Sequence, residues 1–285
     1  MLKTKKIIRE KLSLLYPPSE VESLTRLILE HVTGYNRLQL HLNQTEQLPE
    51  PKIMQIMEIV NRLQAHEPIQ YILGETEFYG LKFTVSPGAL IPRAETEELV
   101  DWIIREEGAG AKSLLDIGTG SGCIPITIDK NTRMELVEGW DISEEALKLA
   151  RHNAERNNSK VQFSIQDIFH PTWIAASARW DVIVSNPPYV LMEESDQMDR
   201  NVVDFEPHMA LFVPNHDPLV FYRAIAQFAT VHLQLHGNLY FEINESQGTQ
   251  VAELLSVNGF YDIRTRKDLQ GKTRMIRARK ETPLL

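Results

Sequence analysis

The spacing of apolar residues changes character twice along the chain, and each change marks an expected boundary. In the first seventy or so residues the apolar positions recur at helical spacing. After Pro17-Pro18, the stretch Ser19-Glu20-Val21-Glu22 has the form of a capping box and predicts a helix through Leu24, Leu27, Ile28 and Val32, which Gly34 can end. Ile53, Ile56, Met57, Val60 and Leu63 predict a second amphipathic helix. Stripes of this kind usually face other helices, so a small helical bundle over residues 1–73 is expected, and periodicity assigns it no chemistry.

From Glu77 to Val85 the pattern alternates around Gly80, which predicts a β-hairpin within a connector at residues 74–92. Helical and strand patterns then take turns. A helix from Thr96 carries Leu99, Val100, Trp102, Ile103 and Ile104, and apolar strands follow up to Ser185. Further on come a helix at 218–231, a strand at 238–243, a helix at 247–257 and closing strands at 261–266 and 273–278. This order predicts an α/β domain over residues 93–285, built on a Rossmann-like, seven-stranded, mostly parallel sheet.

Two segments in that domain carry candidate chemistry. The first is Leu115-Asp116-Ile117-Gly118-Thr119-Gly120-Ser121-Gly122-Cys123, a strand running through a glycine loop into a helix. Glycine at every second position lets the backbone approach a ligand closely, with the helix N-terminus facing it, so a nucleotide-like ligand is expected. The next strand ends at Asp141, roughly 20 residues further on, where a carboxylate can accept both hydroxyls of a ribose. A dinucleotide site would have Gly-x-Gly-x-x-Gly, but counting from Gly118 puts Cys123 at the sixth position.

The second segment is Val182-Ile183-Val184-Ser185-Asn186-Pro187-Pro188-Tyr189. A buried strand stopped by two prolines makes a rigid polar mouth. There the Asn186 side-chain oxygen and an adjacent carbonyl, that of Pro187, can accept both N–H bonds of an incoming amino group, while Tyr189 offers a ring face. An amide or aromatic amine delocalises its lone pair and is a poor nucleophile, so fixed acceptors that orient it have a chemical purpose. Taken alone, the four residues equally describe a turn that ends a strand.

Composition narrows the class. A chain of 285 residues with 42% apolar content can bury a substantial core, and a single cysteine excludes an intramolecular disulfide. No apolar run approaches ~18 residues and the Lys-rich start has no apolar core behind it, so no membrane association and a cytoplasmic location are expected. A net charge of −9 from 30 basic and 39 acidic residues argues against a broad nucleic-acid surface. The nine histidines have no metal-ligand spacing, and no metal is expected. Cys123 reads as a packing residue, Asp116 as a brace for the loop amides, and Arg93 with Glu97 as rim residues or a surface ion pair. Glu206 is divided evenly between contacting substrate and bracing its loop.

The loop spacing Asp-x-Gly-x-Gly-x-Gly resembles that of class I S-adenosylmethionine-dependent methyltransferases. The resemblance implies that Gly118, Thr119, Gly120, Ser121 and Gly122 cradle the methionine part of the donor and that Asp141 holds its ribose. It also implies that Asp167 and Ile168 contact adenine and that Asn186 lies against the donor as well as the substrate; many relatives carry an aromatic residue where this chain has Ile168, so aliphatic packing is expected instead of stacking. Over nearly its whole length the chain resembles the bacterial release-factor glutamine N5-methyltransferases. The carrying stretches are Glu67 to Gly74, Leu90 to Glu97, the glycine loop, Asn186 to Tyr189, Glu206-Pro207 with Ala210-Leu211, and Lys267-Asp268-Leu269 with Gly271 and Arg274. This implies S-adenosylmethionine as donor, S-adenosylhomocysteine as product, and as acceptor the glutamine of the Gly-Gly-Gln loop of peptide-chain release factors, bound at Asn186, Pro187, Pro188 and Tyr189. The rivals are an enzyme acting on ribosomal-protein glutamine or DNA adenine, and a non-catalytic module that keeps the cofactor fold.

Overall fold

The computed structural model describes residues 1–171 and 177–281. The chain divides into two compact units, Met1–Gly74 with Asp199–Phe205, and Glu75–Met198 with Glu206–Leu285. The connector placed at 74–92 in the sequence therefore falls almost wholly within the second unit.

The first unit holds α1 (Leu2–Leu12), α2 (Pro18–Thr33), α3 (Arg37–Leu42), α4 (Glu50–Gln64) and α5 (Ile69–Leu73). Both expected stripes turn inward. Ile28, Ile56, Val60 and Leu63 are fully or almost fully buried with Ile8 and Leu12 of α1. Lysines mask α1 in the sequence, yet Ile8 and Leu12 lie one turn apart on a single face. The capping box at Ser19 does not form: α2 starts at Pro18 behind Pro17, with no side-chain cap, because a proline in the first turn needs no acceptor for a missing N–H. A capping box does form at Asn36 with Gln39, opening α3. Gly34 ends α2 at φ 74° as expected.

In the second unit β1 (Glu75–Phe78) and β2 (Leu81–Thr84) make the expected hairpin, with positive φ at both turn residues, Tyr79 (49°) and Gly80 (74°). The remaining elements follow in order: α6 (Ala94–Glu107), β3 (Ser113–Ile117), α7 (Cys123–Asn131), β4 (Leu136–Asp141), α8 (Glu144–Arg156), β5 (Gln162–Ile165), β6 (Trp180–Ser185) and β7 (Val190–Leu191). Then come α9 (Arg200–Val203, in the segment that packs with the first unit), β8 (Phe212–Val213), α10 (Val220–His232), β9 (Leu233–Glu242), α11 (Gly248–Val257), β10 (Phe260–Lys267) and β11 (Thr273–Lys280).

Among the described residues seven strands form one sheet in the order β10-β11-β9-β6-β3-β4-β5. β11 alone runs opposite to the other six, pairing antiparallel with β10 and β9. Leu114, Leu115, Val182, Ile183, Val184, Leu239, Tyr240 and Phe241 are fully buried, as parallel strands covered on both faces require. β9 begins five residues before the expected Asn238, with His236 at φ 64° and a register shift against β6 breaking its alternation. Gly237 is required there, since a Cβ would meet the Asp181 carbonyl at 2.7 Å. Strand order reverses between β3 and β6, so the crevice beyond their carboxyl ends is where an open α/β sheet binds ligands. Among the described residues no helix is long and apolar enough to cross a membrane.

Candidate active site

The glycine loop leaves the end of β3 with Gly118, Gly120 and Gly122 at φ 76°, 53° and 79°. Only glycine adopts this series without strain. A Cβ on Gly122 would press on Ile126, Ala150 and Phe163 at 3.0–3.2 Å, whereas one on Gly118 would meet nothing within 4 Å and one on Gly120 only Ala89 at 3.9 Å. The loop is packed behind and open in front. It is tied down by its own amides: Gly118 and Thr119 donate to the Trp140 carbonyl at 2.8 and 2.9 Å, and Gly120 donates to Asp141 Oδ2 at 2.8 Å. Its open side therefore presents peptide faces and shape, with fewer free N–H donors than the sequence led us to expect.

Asp141 ends β4, half-buried. Its Oδ2 takes the Gly120 amide and its Oδ1 the Ser143 amide at 2.9 Å, which leaves a second lone pair on each oxygen. Burial raises its pKa, and these N–H groups oppose the shift. Asp167 follows β5, where its Oδ1 accepts the Phe169 amide at 2.9 Å, and Ile168 packs beside the apolar cluster around Trp140 and Ile117. Asp116 is completely buried, and neither of its oxygens has a hydrogen-bond partner; the bracing of loop amides expected of it does not occur. Desolvation pushes it up to about 7, opposed by the nearby Thr119 hydroxyl, which is close without making a hydrogen bond of ordinary geometry.

The hydroxyls of Thr119, beside Asp116, and Ser121, beside the Cys123 thiol, are likewise buried and make no hydrogen bond of ordinary geometry. A buried polar group left in this way costs roughly 1–3 kcal/mol. Here they gather beside an open glycine cradle with a free carboxylate behind it. That donor and acceptor set fits the ammonium, carboxylate and ribose of an amino-acid nucleoside.

At the end of β6, Ser185 Oγ donates to the Ile117 carbonyl at 2.6 Å and holds the carboxyl ends of β3 and β6 together. The Asn-Pro-Pro-Tyr segment follows at the same edge of the sheet as the glycine loop, Asp141 and Asp167. Asn186 Nδ2 donates to Thr96 Oγ1 at 3.2 Å, and Thr96 Oγ1 donates to Glu242 Oε2 at 2.6 Å. The Tyr189 hydroxyl donates to Glu242 Oε1 at 3.1 Å, and the Tyr222 hydroxyl donates to the Glu242 carbonyl at 3.2 Å. Thr96 and Glu242 are 2% and 1% exposed. Burial raises the Glu242 pKa, opposed by the Thr96 and Tyr189 hydroxyls, while burial and the Glu242 charge raise that of Tyr189, which stays a phenol.

Neither Thr96 nor Glu242 was assigned a role from the sequence. The signal for Glu242 was a lone carboxylate inside the apolar run Leu239-Tyr240-Phe241-Glu242-Ile243, since such a group is buried only when partnered. Nothing local marks Thr96. Arg93 does not pair with Glu97: it donates to Glu206 Oε1 at 2.5 Å, while Glu97 accepts the Tyr79 amide at 2.7 Å. Glu206, 3% exposed, also accepts the Ile91 amide at 3.2 Å and so braces its loop. Cys123 is buried with its thiol pushed up to about 12, as a packing residue.

A doubly wound sheet with one antiparallel strand near its edge, a Gly-x-Gly-x-Gly loop after the first parallel strand and an acid after the next define a class I methyltransferase. A methyltransferase from Pyrococcus furiosus shares the fold at 18% identity, with a TM-score of 0.54 over 82% of this chain and all of that one. Two family profiles match in sequence, the PrmC N-terminal domain over residues 8–74 and the methyltransferase small domain over residues 96–204. The release factor glutamine methyltransferase of Bacteroides thetaiotaomicron is 47% identical over 271 residues, covering 95% of this chain and 97% of that protein. That of Flavobacterium psychrophilum is 42% identical over 272 residues, covering 94% and 95%. The chain belongs to the release factor glutamine methyltransferase family, whose members use S-adenosylmethionine.

Proposed function

We propose that this enzyme methylates the side-chain amide nitrogen, N5, of the glutamine in the Gly-Gly-Gln loop of peptide-chain release factors, with S-adenosylmethionine as donor. The observation that carries this reading is the anchored amide at the end of β6: Asn186 Nδ2 is tied inward to Thr96, which leaves Oδ1 as the group offered at the mouth. The relatives named for this activity support it over nearly the whole chain.

Gly118 to Gly122, with Asp116 behind, would hold the methionine end of the donor, Asp141 its ribose, and Asp167 with Ile168 its adenine. Bound there, S-adenosylmethionine supplies an electrophilic methyl group. Asn186 Oδ1 and the Pro187 carbonyl accept the two N–H bonds of the glutamine amide. They thereby fix its plane, aim the nitrogen lone pair and stabilise positive charge that develops on nitrogen. Tyr189, held by Glu242, walls the slot for the flat group. No strong base is required, because a nitrogen alkylated through its lone pair becomes acidic and loses its proton readily to water.

The helices of residues 1–73 carry none of these groups, and we assign them to recognition of the release factor. The test is mass analysis of the Gly-Gly-Gln peptide from a purified release factor after incubation with this enzyme and donor. A methyl group on that glutamine is the expected result, and methylation of a different residue would overturn the reading.

A further inference from the structure

We infer that Glu242 and Thr96 are positioning residues that set which end of the Asn186 amide faces the substrate. This rests on the reading that Asn186 Oδ1 accepts from the substrate amide.

A primary amide can sit in its pocket either way round, and only one orientation is productive. With Nδ2 turned to the mouth, two N–H donors would face the N–H donors of the glutamine. What selects the other orientation is the direction of a short hydrogen-bond chain. Glu242 accepts at both oxygens, from the Tyr189 hydroxyl at Oε1 and from the Thr96 hydroxyl at Oε2 at 2.6 Å, so the single hydrogen of Thr96 is committed to the carboxyl group. The Thr96 oxygen then has only lone pairs left for Asn186. Nδ2 meets them at 3.2 Å, and Oδ1 is turned the other way.

The second carboxyl oxygen takes the Tyr189 hydroxyl at 3.1 Å, so one buried acidic side chain orients both polar side chains of the mouth. Its main-chain carbonyl takes the Tyr222 hydroxyl, which fixes the end of β9 itself. Glu242 is 1% exposed and acts on substrate only through Asn186 and Tyr189. A carboxylate at the end of a core strand is expensive to keep unless its charge is used. The chain joins α6, β9 and the loop after β6, bridging 146 residues of sequence from Thr96 to Glu242.

Three variants and one cycle test this, with initial rates on a release factor and calorimetric binding of S-adenosylhomocysteine measured for each. Glu242→Gln keeps the size but offers an N–H to Thr96, which frees the Thr96 hydroxyl to point at Asn186 and turns its amide. Turnover should fall about tenfold or more, with donor affinity unchanged within about twofold. Thr96→Val should lose a similar amount, and Thr96→Ser, which keeps the hydroxyl, should stay within about threefold of wild type. In an Asn186→Ala background no amide remains to orient, so adding Thr96→Val should cost less than about twofold more.

Wild-type turnover in Glu242→Gln and Thr96→Val, or the full single-mutant loss repeated in the Asn186→Ala background, overturns the inference. So does a parallel fall of turnover and donor affinity, which is the mark of damage to the fold. The wild-type control separates the two levels. If the unaltered enzyme leaves the release-factor glutamine unmethylated, the proposed function fails and the orienting role falls with it; if it methylates and the variants do too, only the orienting role is lost.

Discussion

Asp116 places a measurable strain on the protein without its donor. It is fully buried, both oxygens lack partners, and desolvation lifts its pKa from 3.8 to about 7. The folded form thus holds a proton more tightly than the unfolded chain does. The associated stability is fully present below about pH 4 and is lost as the pH rises through about 7. A difference of about 3 units at ~1.36 kcal/mol each sets an upper bound of about 4 kcal/mol on the loss. Asp116→Asn has nearly the same shape and does not titrate. It should match wild type below about pH 4, draw ahead as the pH rises from there towards 7, and exceed it by at least ~1 kcal/mol at pH 8, while binding S-adenosylhomocysteine more weakly. Trp102, Trp140 and Trp180 lie in the second unit and the first unit contains no tryptophan, so urea unfolding followed by tryptophan fluorescence reports on the sheet domain. Parallel stability profiles for the two proteins from pH 5 to pH 8 would show that Asp116 is not held as a strained, protonatable group.

Asp141→Ala removes both the anchor of the Gly120 amide and the proposed ribose acceptor. Loss of such a charged hydrogen-bonding group, at roughly 1.5–3 kcal/mol, should weaken S-adenosylhomocysteine about tenfold or more by calorimetry, and unchanged affinity in a folded variant would remove it from the site. With its thiol pushed up to about 12 against an ordinary 9.0, Cys123 should be about a thousandfold poorer in thiolate than an exposed cysteine. Iodoacetamide at pH 8 should leave it unmodified in the native enzyme and label it in urea; rapid native labelling would contradict its burial.

What the sequence made legible was whatever is encoded locally. The alternation of strands and helices, the left-handed Gly34, the Tyr79-Gly80 turn and the glycine loop each depend on neighbours within a few residues. So does the burial of Val182 to Val184. The misread cap at Ser19 is also local: the first-turn Pro18 already starts α2 and leaves the serine hydroxyl no capping geometry. The anchoring of the site is different in kind. Thr96 meets Glu242 across 146 positions and Arg93 meets Glu206 across 113, and no pattern within either segment names its partner. Glu97, the nearer carboxylate in sequence, is taken by the Tyr79 amide, which is why the Arg93–Glu97 pair is absent.

The most direct test of the central claim is the methylation state of the Gly-Gly-Gln glutamine, read by mass spectrometry after a release factor is incubated with donor and either wild type or Asn186→Ala. Wild type should place one methyl group on that side-chain nitrogen. Asn186→Ala should do so on the order of a hundredfold more slowly while S-adenosylhomocysteine affinity stays nearly unchanged, because the lost group orients the acceptor and does not hold the donor. A methyl group found elsewhere, or a wild-type rate in the alanine variant, would contradict the account.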